Sequence, residues 1–202
     1  MFRGAWVVLV VGLILLGAAG CWNPFSQDDN GGGNGGGQYD RKTPENLLNF
    51  FAAAYKDKDV TRYGESIDDN FAFTFLERDY GDAGVDSITP YWGKTEDVER
   101  TGRMFSSVKT FDIGFDFVET VMPWYECTGT IMVGSEEQTV QALCTLRKPD
   151  IKVTVDMDEP ELTTFWVNKS LLDIKVIKDR YNPDLWTILS IEELDSEEQP
   201  TR

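Results

Sequence analysis

The stretch 108–147 does most to limit what this chain can fold into. Phe111, Ile113, Phe115 and Phe117 alternate there with Asp112, Gly114 and Asp116. A period of two puts the apolar side chains on one face of a strand and the polar residues on the other. Two further strand-like runs follow, 124–133 and 139–147, separated by Gly134-Ser135-Glu136-Glu137. Together they predict a curved antiparallel meander with an apolar concave side.

The register of the second hairpin can be read from its side chains. If Val133 faces Gln138, then Ile131 faces Val140, Gly129 faces Ala142, Cys127 faces Cys144 and Tyr125 faces Leu146. The small and apolar residues then share one face, while Glu126, Thr128, Thr130, Gln141 and Thr145 share the other. A shift by one residue would mix the two sets, so the pattern selects a half-buried sheet. Opposed cysteines on neighbouring strands come within about 5 Å, inside disulfide range. An exported chain would oxidise Cys127 and Cys144 to a bridge; otherwise both are small core residues.

Before the meander the periodicity is helical. Thr43-Pro44-Glu45 supplies a hydroxyl cap, a first-turn proline and an acid for the helix dipole. Leu47, Leu48, Phe51, Ala54 and Tyr55 recur on one side. A second short helix is expected over 60–67. Phe71, Phe73 and Phe75 read as a first strand with Asp68-Asp69 leading in, and 80–90 as a loop. Thr95 is the expected cap of a third helix with Val98, Thr101 and Phe105 as its inward stripe. After the meander come Ile151, Val153 and Val155. A run over 161–178 follows, with Leu171 marking a phase slip, then a turn at Tyr181-Asn182-Pro183-Asp184 and a closing strand with Trp186, Ile188 and Ile191. The fold class is therefore α+β, with N-terminal helices packed on a strongly curved antiparallel sheet.

The ends are of a different kind. Arg3, an apolar run over 7–16 and Gly17-Ala18-Ala19-Gly20 before Cys21 read as an export signal. The run is shorter than the roughly 20 residues of a membrane span. Residues 22–42 contain a glycine-rich tract, Gly31 to Gly37 broken by Asn34, which would act as a flexible tether reaching about 25 Å. The expected divisions are a signal at 1–20, a linker at 21–42, a folded domain at 43–194 and a charged tail at 195–202.

Composition narrows function mainly by exclusion. Apolar residues make up 41 % and aromatics 12 %, which suits a globular domain rather than a disordered chain. The net charge of −16 repels phosphate backbones, so no nucleic acid partner is expected. That acidity suits capture of a cation, but suits plain solubility better. There is no histidine, which removes His-based triads, His-metal sites and imidazole acid–base pairs. Asp156, Asp158, Glu159 and Glu161 flank Pro160, yet lack calcium-loop spacing and read as a solvated turn. Gly93-Lys94-Thr95 is not a phosphate loop, because Ile88 stands where its first glycine is required. No metal and no cofactor is expected.

Two resemblances add to this. The small residues ending in Cys21 resemble a bacterial lipoprotein signal, with Ala18 where leucine is usual. That implies a diacylated Cys21 holding the protein on the outer face of a cell-envelope membrane, inner or outer. Thr43-Pro44-Glu45 leading into Phe50-Phe51-Ala52 and Tyr55, Trp92 before the third helix, and the closing Leu185-Trp186-Thr187-Ile188 resemble the nuclear transport factor 2-like superfamily. The resemblance implies a cone of bent sheet and three helices around a cavity. Its members include isomerases and dehydratases as well as non-catalytic binding and dimerising domains. The dehydratase type uses a histidine, absent here. The isomerase type uses a carboxylate and a tyrosine, and no residue of this chain is assigned to those roles. Tyr91, Trp92, Trp124 and Trp166 are the candidate lining of the cavity mouth, though such rings are commonly plain core. The expected function is a membrane-tethered binding domain for a small apolar ligand or an envelope protein. The alternatives are a small isomerase or lyase, and a homodimer module pairing through the outer sheet face. A carboxylate beside a tyrosine inside the cone would discriminate between binding and catalysis.

Overall fold

The computed structural model describes residues 40–117, 124–155, 164–167 and 170–195. The leader, Cys21, most of the tether, the cluster Asp156, Asp158, Glu159 and Glu161, and the tail beyond Asp195 lie outside the described residues. The elements are α1 (Pro44–Asp57), α2 (Val60–Ser66), β1 (Ile67–Thr74), a 3₁₀ turn (Glu77–Asp79), α3 (Tyr80–Ala83), β2 (Tyr91–Gly93), α4 (Lys94–Ser107), β3 (Val108–Phe117), β4 (Tyr125–Val133), β5 (Glu136–Val155), β6 (Thr164–Val167), β7 (Ser170–Lys178) and β8 (Trp186–Asp195).

The helices start and stop for local reasons. Thr43 Oγ1 accepts from the Asn46 backbone N–H at 3.1 Å, and Pro44 opens the first turn of α1. Lys58 ends α1 in the left-handed region, with φ 54°. Asp59 then caps α2 by accepting from Arg62 N at 2.9 Å. Two expectations change here. Helix α4 is capped by Gly93, which offers no side-chain acceptor, so Thr95 lies inside the first turn instead of capping it. The expected loop 80–90 contains the short α3, closed by Gly84. Contacts with the domain begin before residue 43: the Arg41 carbonyl accepts from Trp186 N at 2.8 Å.

Among the described residues one sheet carries eight strands. Its path is β2-β1-β8-β7-β5-β3, with β4 and β6 also paired to β5, and only the β1–β8 pair is parallel. The helices cover one side of this strongly curled sheet. There Leu47, Leu48 and Phe51 of α1, Tyr63 of α2 and Phe105 of α4 meet Phe111, Ile113, Val153, Ile174, Val176, Ile188 and Ile191 in one cluster. Phe111 and Phe115 of the opening strand face this core as the period of two requires. Burial of each such side chain is worth about 1.5–3 kcal/mol.

Strand β5 is the long member, and it changes neighbours along its length. Residues 147–155 pair with β3, 143–147 with β7, and 136–144 with β4. The β4–β5 hairpin folds back over the opposite, outer side of the sheet. Ile131 and Ala142 pack on Ile177 of β7 and Leu189 of β8 in a second apolar cluster. The Met132 N–H reaches Asn70 Oδ1 of β1 at 2.7 Å. Gly129 makes the closest approach: a Cβ there would lie 2.4 Å from Leu189 Cδ2. The hairpin turns on two residues, Gly134-Ser135, with Gly134 at φ +66°, not on four. Its register is consequently shifted by two from the expected one. Cys127 pairs with Ala142, and Cys144 pairs with Tyr125. A shift by two preserves the faces, so both cysteines stay on one side and bond diagonally, with Cα atoms 6.0 Å apart. The expected slip at Leu171 is found elsewhere. The irregularity lies between Lys175 and Val176, where β8 carries Leu189 as an extra residue.

Candidate functional site

Two groups of polar side chains lie on the helix-covered side of the sheet, near opposite ends of α1. The first is built on the inward stripe of α4, where Asp97, Thr101 and Phe105 recur every four residues and are buried. Asp97 is 4 % exposed, and its Oδ2 accepts a hydrogen bond from the Tyr63 hydroxyl of α2. Tyr55 of α1 and Thr101 complete the network. Rings close around it: Tyr55 lies 5.4 Å from Tyr63 and 5.2 Å from Phe105, and Phe51 lies 5.3 Å from Tyr63, measured between centroids.

Burial raises the Asp97 carboxyl to about 7. The bond from Tyr63 opposes that rise, and the charge of Glu96 adds to it. Burial also lifts Tyr63 well above its ordinary value, as it does Tyr55, with the Asp97 charge adding to both. An acid poised near neutrality beside a hydroxyl donor is chemically competent for proton transfer. Both groups are buried, however, Asp97 at 4 % and Tyr63 at 1 % exposure.

The second group lies toward the start of α1. Arg147 of β5 has its side chain on the helix side of the sheet, in line with Leu172 of β7 and Glu193 of β8. Its guanidinium is fully buried, 0 % exposed, while the partner Glu45 side chain is 49 % exposed. Arg147 Nη2 donates to Glu45 Oε2 at 2.6 Å, and Arg147 Nε donates to Thr145 Oγ1 at 3.1 Å. Trp124 donates its indole N–H to the same Glu45 oxygen at 3.2 Å and presents its ring 5.5 Å from the guanidinium carbon. Burial pulls Arg147 below the usual guanidinium range, and Glu45 opposes that pull. Two donors from the sheet and its flanking residue thus converge on one carboxylate oxygen from the helix.

Of the four aromatics expected at the mouth, Tyr91, Trp92 and Trp124 do not gather in one place, and the side chain of Trp166 lies outside the described residues. Trp92 is buried in a small separate cluster with Phe75 and Ala83, donates its indole N–H to the Ala83 carbonyl at 3.2 Å and carries the Arg100 guanidinium on its ring at 4.3 Å. Tyr91 is 46 % exposed at the short edge strand β2. Trp166 sits in β6 opposite Lys152. Of Tyr91, Trp92 and Trp124, it is Trp124 that reaches a polar group of the interior just described. Trp92 was misplaced because a ring ahead of a helix reads alike whether it packs inward or under the β1–β2 edge. The residues that sequence reasoning missed are Asp97, Tyr63, Glu45 and Arg147. Asp97 and Glu45 read as first-turn acids serving the helix dipole. The available signal for Asp97 was its spacing of four from Thr101 and eight from Phe105. Arg147 had a weaker signal, a cation in phase with Ile151 and Val153.

No family model matches this chain, and no curated protein matches it. Solved structures similar in backbone course include a Novosphingobium aromaticivorans protein provisionally named an aromatic ring hydroxylase. It is 10 % identical, with 80 % of this chain and 90 % of that chain covered and a TM-score of 0.49. A nuclear transport factor 2-like superfamily protein from Salmonella enterica serovar Typhimurium is 11 % identical over 77 % of this chain and 87 % of that one, at 0.45. A hexachlorocyclohexane dehydrochlorinase is 6 % identical over 74 % and 80 %, at 0.44. At these values the likenesses assign no chemistry to any residue here.

Proposed function

We propose that this chain is a cell-envelope lipoprotein, anchored through Cys21, whose nuclear transport factor 2-like cone is a non-catalytic binding domain. The observation that carries the binding reading is the contrast in access between the two interior polar groups. Asp97 and Tyr63, the pair that catalysis would need, are both buried, and Phe51, Tyr55 and Phe105 pack on the Tyr63 ring. Arg147 and Trp124 instead meet a carboxylate that water already reaches. The anchoring reading rests on the leader alone. Diacylation gives stable attachment where one chain would be marginal.

Native mass spectrometry of the protein extracted from its own host tests the binding reading. A retained small molecule or envelope partner is expected, and a bare monomer under gentle extraction overturns it. Detergent-phase partitioning tests the anchor: Cys21→Ser should move the protein to the aqueous phase or stall its processing, and unchanged partitioning refutes lipidation.

The second reading, a proton-transferring isomerase or lyase, draws its support from the carboxyl of Asp97 beside the Tyr63 hydroxyl. It requires a substrate to open the ring packing. It falls if hydrogen exchange at α2 and α4 stays unchanged under every ligand that the native preparation carries.

A further inference from the structure

The Arg147–Glu45 ion pair joins a buried cation to a half-exposed carboxylate. The guanidinium is fully buried, so it bears the whole cost of leaving water. Glu45 is half-exposed, so water screens the share of the offsetting attraction that Glu45 supplies. A methionine or leucine at 147 would pack beside Leu172 without either term. The donors, in contrast, are well prepared. Thr145 Oγ1 holds Arg147 Nε, the Trp124 ring lies beside the guanidinium, and both Arg147 Nη2 and Trp124 Nε1 point to one oxygen. That is the arrangement of a preformed carboxylate receptor. Glu45 fills it from the first turn of α1, on a half-exposed side chain.

We propose that Arg147 and Trp124 form a binding site for the carboxylate of a small organic acid, with Glu45 as a built-in placeholder that the acid displaces. The chain is strongly acidic, at −16 overall, so an acid reaches this site against the general field. Affinity therefore comes from the two donors in place and from the water that the acid excludes when it fills the place of Glu45. The proposal rests on the reading of the cone as a binding domain and gives that domain's ligand a chemical class.

The test is a titration of the ¹⁵N-labelled full chain with sodium benzoate, sodium hexanoate and neutral benzamide at constant ionic strength and pH. The readout is the Trp124 indole N–H resonance, identified by its disappearance in Trp124→Phe. The carboxylates should shift it saturably, and benzamide should not. Glu45→Gln removes the charge of the tethered competitor and should tighten benzoate binding by about tenfold, as expected for loss of a competitor held at roughly millimolar effective concentration. Arg147→Lys should weaken binding by about tenfold. Should that variant misfold, Trp124→Phe followed by calorimetry reports the loss of one donor. A silent resonance in both wild type and Glu45→Gln overturns the proposal, as does an equal response to benzamide. A neutral ligand found by native mass spectrometry together with a silent benzoate titration would refute the placeholder and leave the binding domain standing. A bare native protein with a saturable benzoate response would leave the carboxylate site standing and overturn the expectation of a retained native occupant.

Discussion

The two polar groups flanking α1 are made from similar parts and solve opposite problems. About 15 Å of helix separates Glu45 from Tyr55. At the Tyr55 end a carboxylic acid is enclosed by rings and held by a neutral hydroxyl. Burial there is tolerated because the acid keeps its proton to about pH 7. At the Glu45 end the buried group is a guanidinium, which cannot discard its charge at any relevant pH. It must be paired, and one partner, Glu45, also touches solvent. A buried acid can become neutral and disappear into a core. A buried arginine stays charged and needs a partner, which leaves its partner's position open to competition.

The comparison can be broken by substitution, and the largest effect belongs to the enclosed group. Tyr63→Ala should cost about 3–5 kcal/mol in chemical denaturation, because it empties a fully packed ring position. Tyr63→Phe keeps the ring and removes only the bond to Asp97, so it should cost about 1–3 kcal/mol. Equal costs would mean that the hydroxyl, not the packing, holds the site.

The pH dependence is next. Unfolded, Asp97 loses its proton near 3.8; folded, it keeps it to about 7. The folded state therefore binds more protons between these values. Its contribution to stability is complete below pH 4 and declines as pH rises to 7, by at most about 1.4 kcal/mol per pH unit. Asp69 and Asp40 work in the other direction, since their hydrogen bonds lower them. The diagnostic is consequently the difference between wild type and Asp97→Asn. The variant should gain relative stability from pH 4 to 7 and hold a constant lead above it. A flat difference curve would remove the raised acid from the account.

The smaller effects are at the other end. Glu45→Ala leaves a buried charge beside water and should cost about 1–3 kcal/mol. Arg147→Met removes the buried charge itself and should fall between neutral and about 2 kcal/mol stabilising. Thermal denaturation of both variants and of the double variant measures the asymmetry. If Arg147→Met is the more damaging change, the guanidinium is a structural keystone and the contrast between the ends disappears.

The outer side of the sheet gives a second contrast with the sequence reading. The face expected to be available for pairing with a second copy carries the chain's own β4–β5 hairpin over β7 and β8. The alternation of Cys127, Gly129 and Ile131 with Glu126, Thr128 and Thr130 said correctly that one side was buried. It could not say against what, since a period of two is the same whether a strand faces helices or another layer of its own sheet. The pairing register was similarly ambiguous by two residues. Tight and longer turns at Gly134 leave the same side chains on the same face, and only the φ of +66° at Gly134 selects the tight one.

What the amino-acid order determined by itself is everything that depends on neighbours a few positions apart. That includes the capped start of α1 at Thr43, the strand phases of Phe111 to Phe115 and of Ile151 to Val155, and the facing of Cys127 and Cys144 toward one side. Tertiary structure decided which distant groups share an interior. It set Tyr63 beside Asp97, Arg147 beside Glu45, and the hairpin across Leu189. A side chain's local pattern is set by bond geometry along the chain. Whether an acid becomes a proton reservoir or a helix-dipole ornament depends on the dielectric that residues thirty to a hundred positions away build around it.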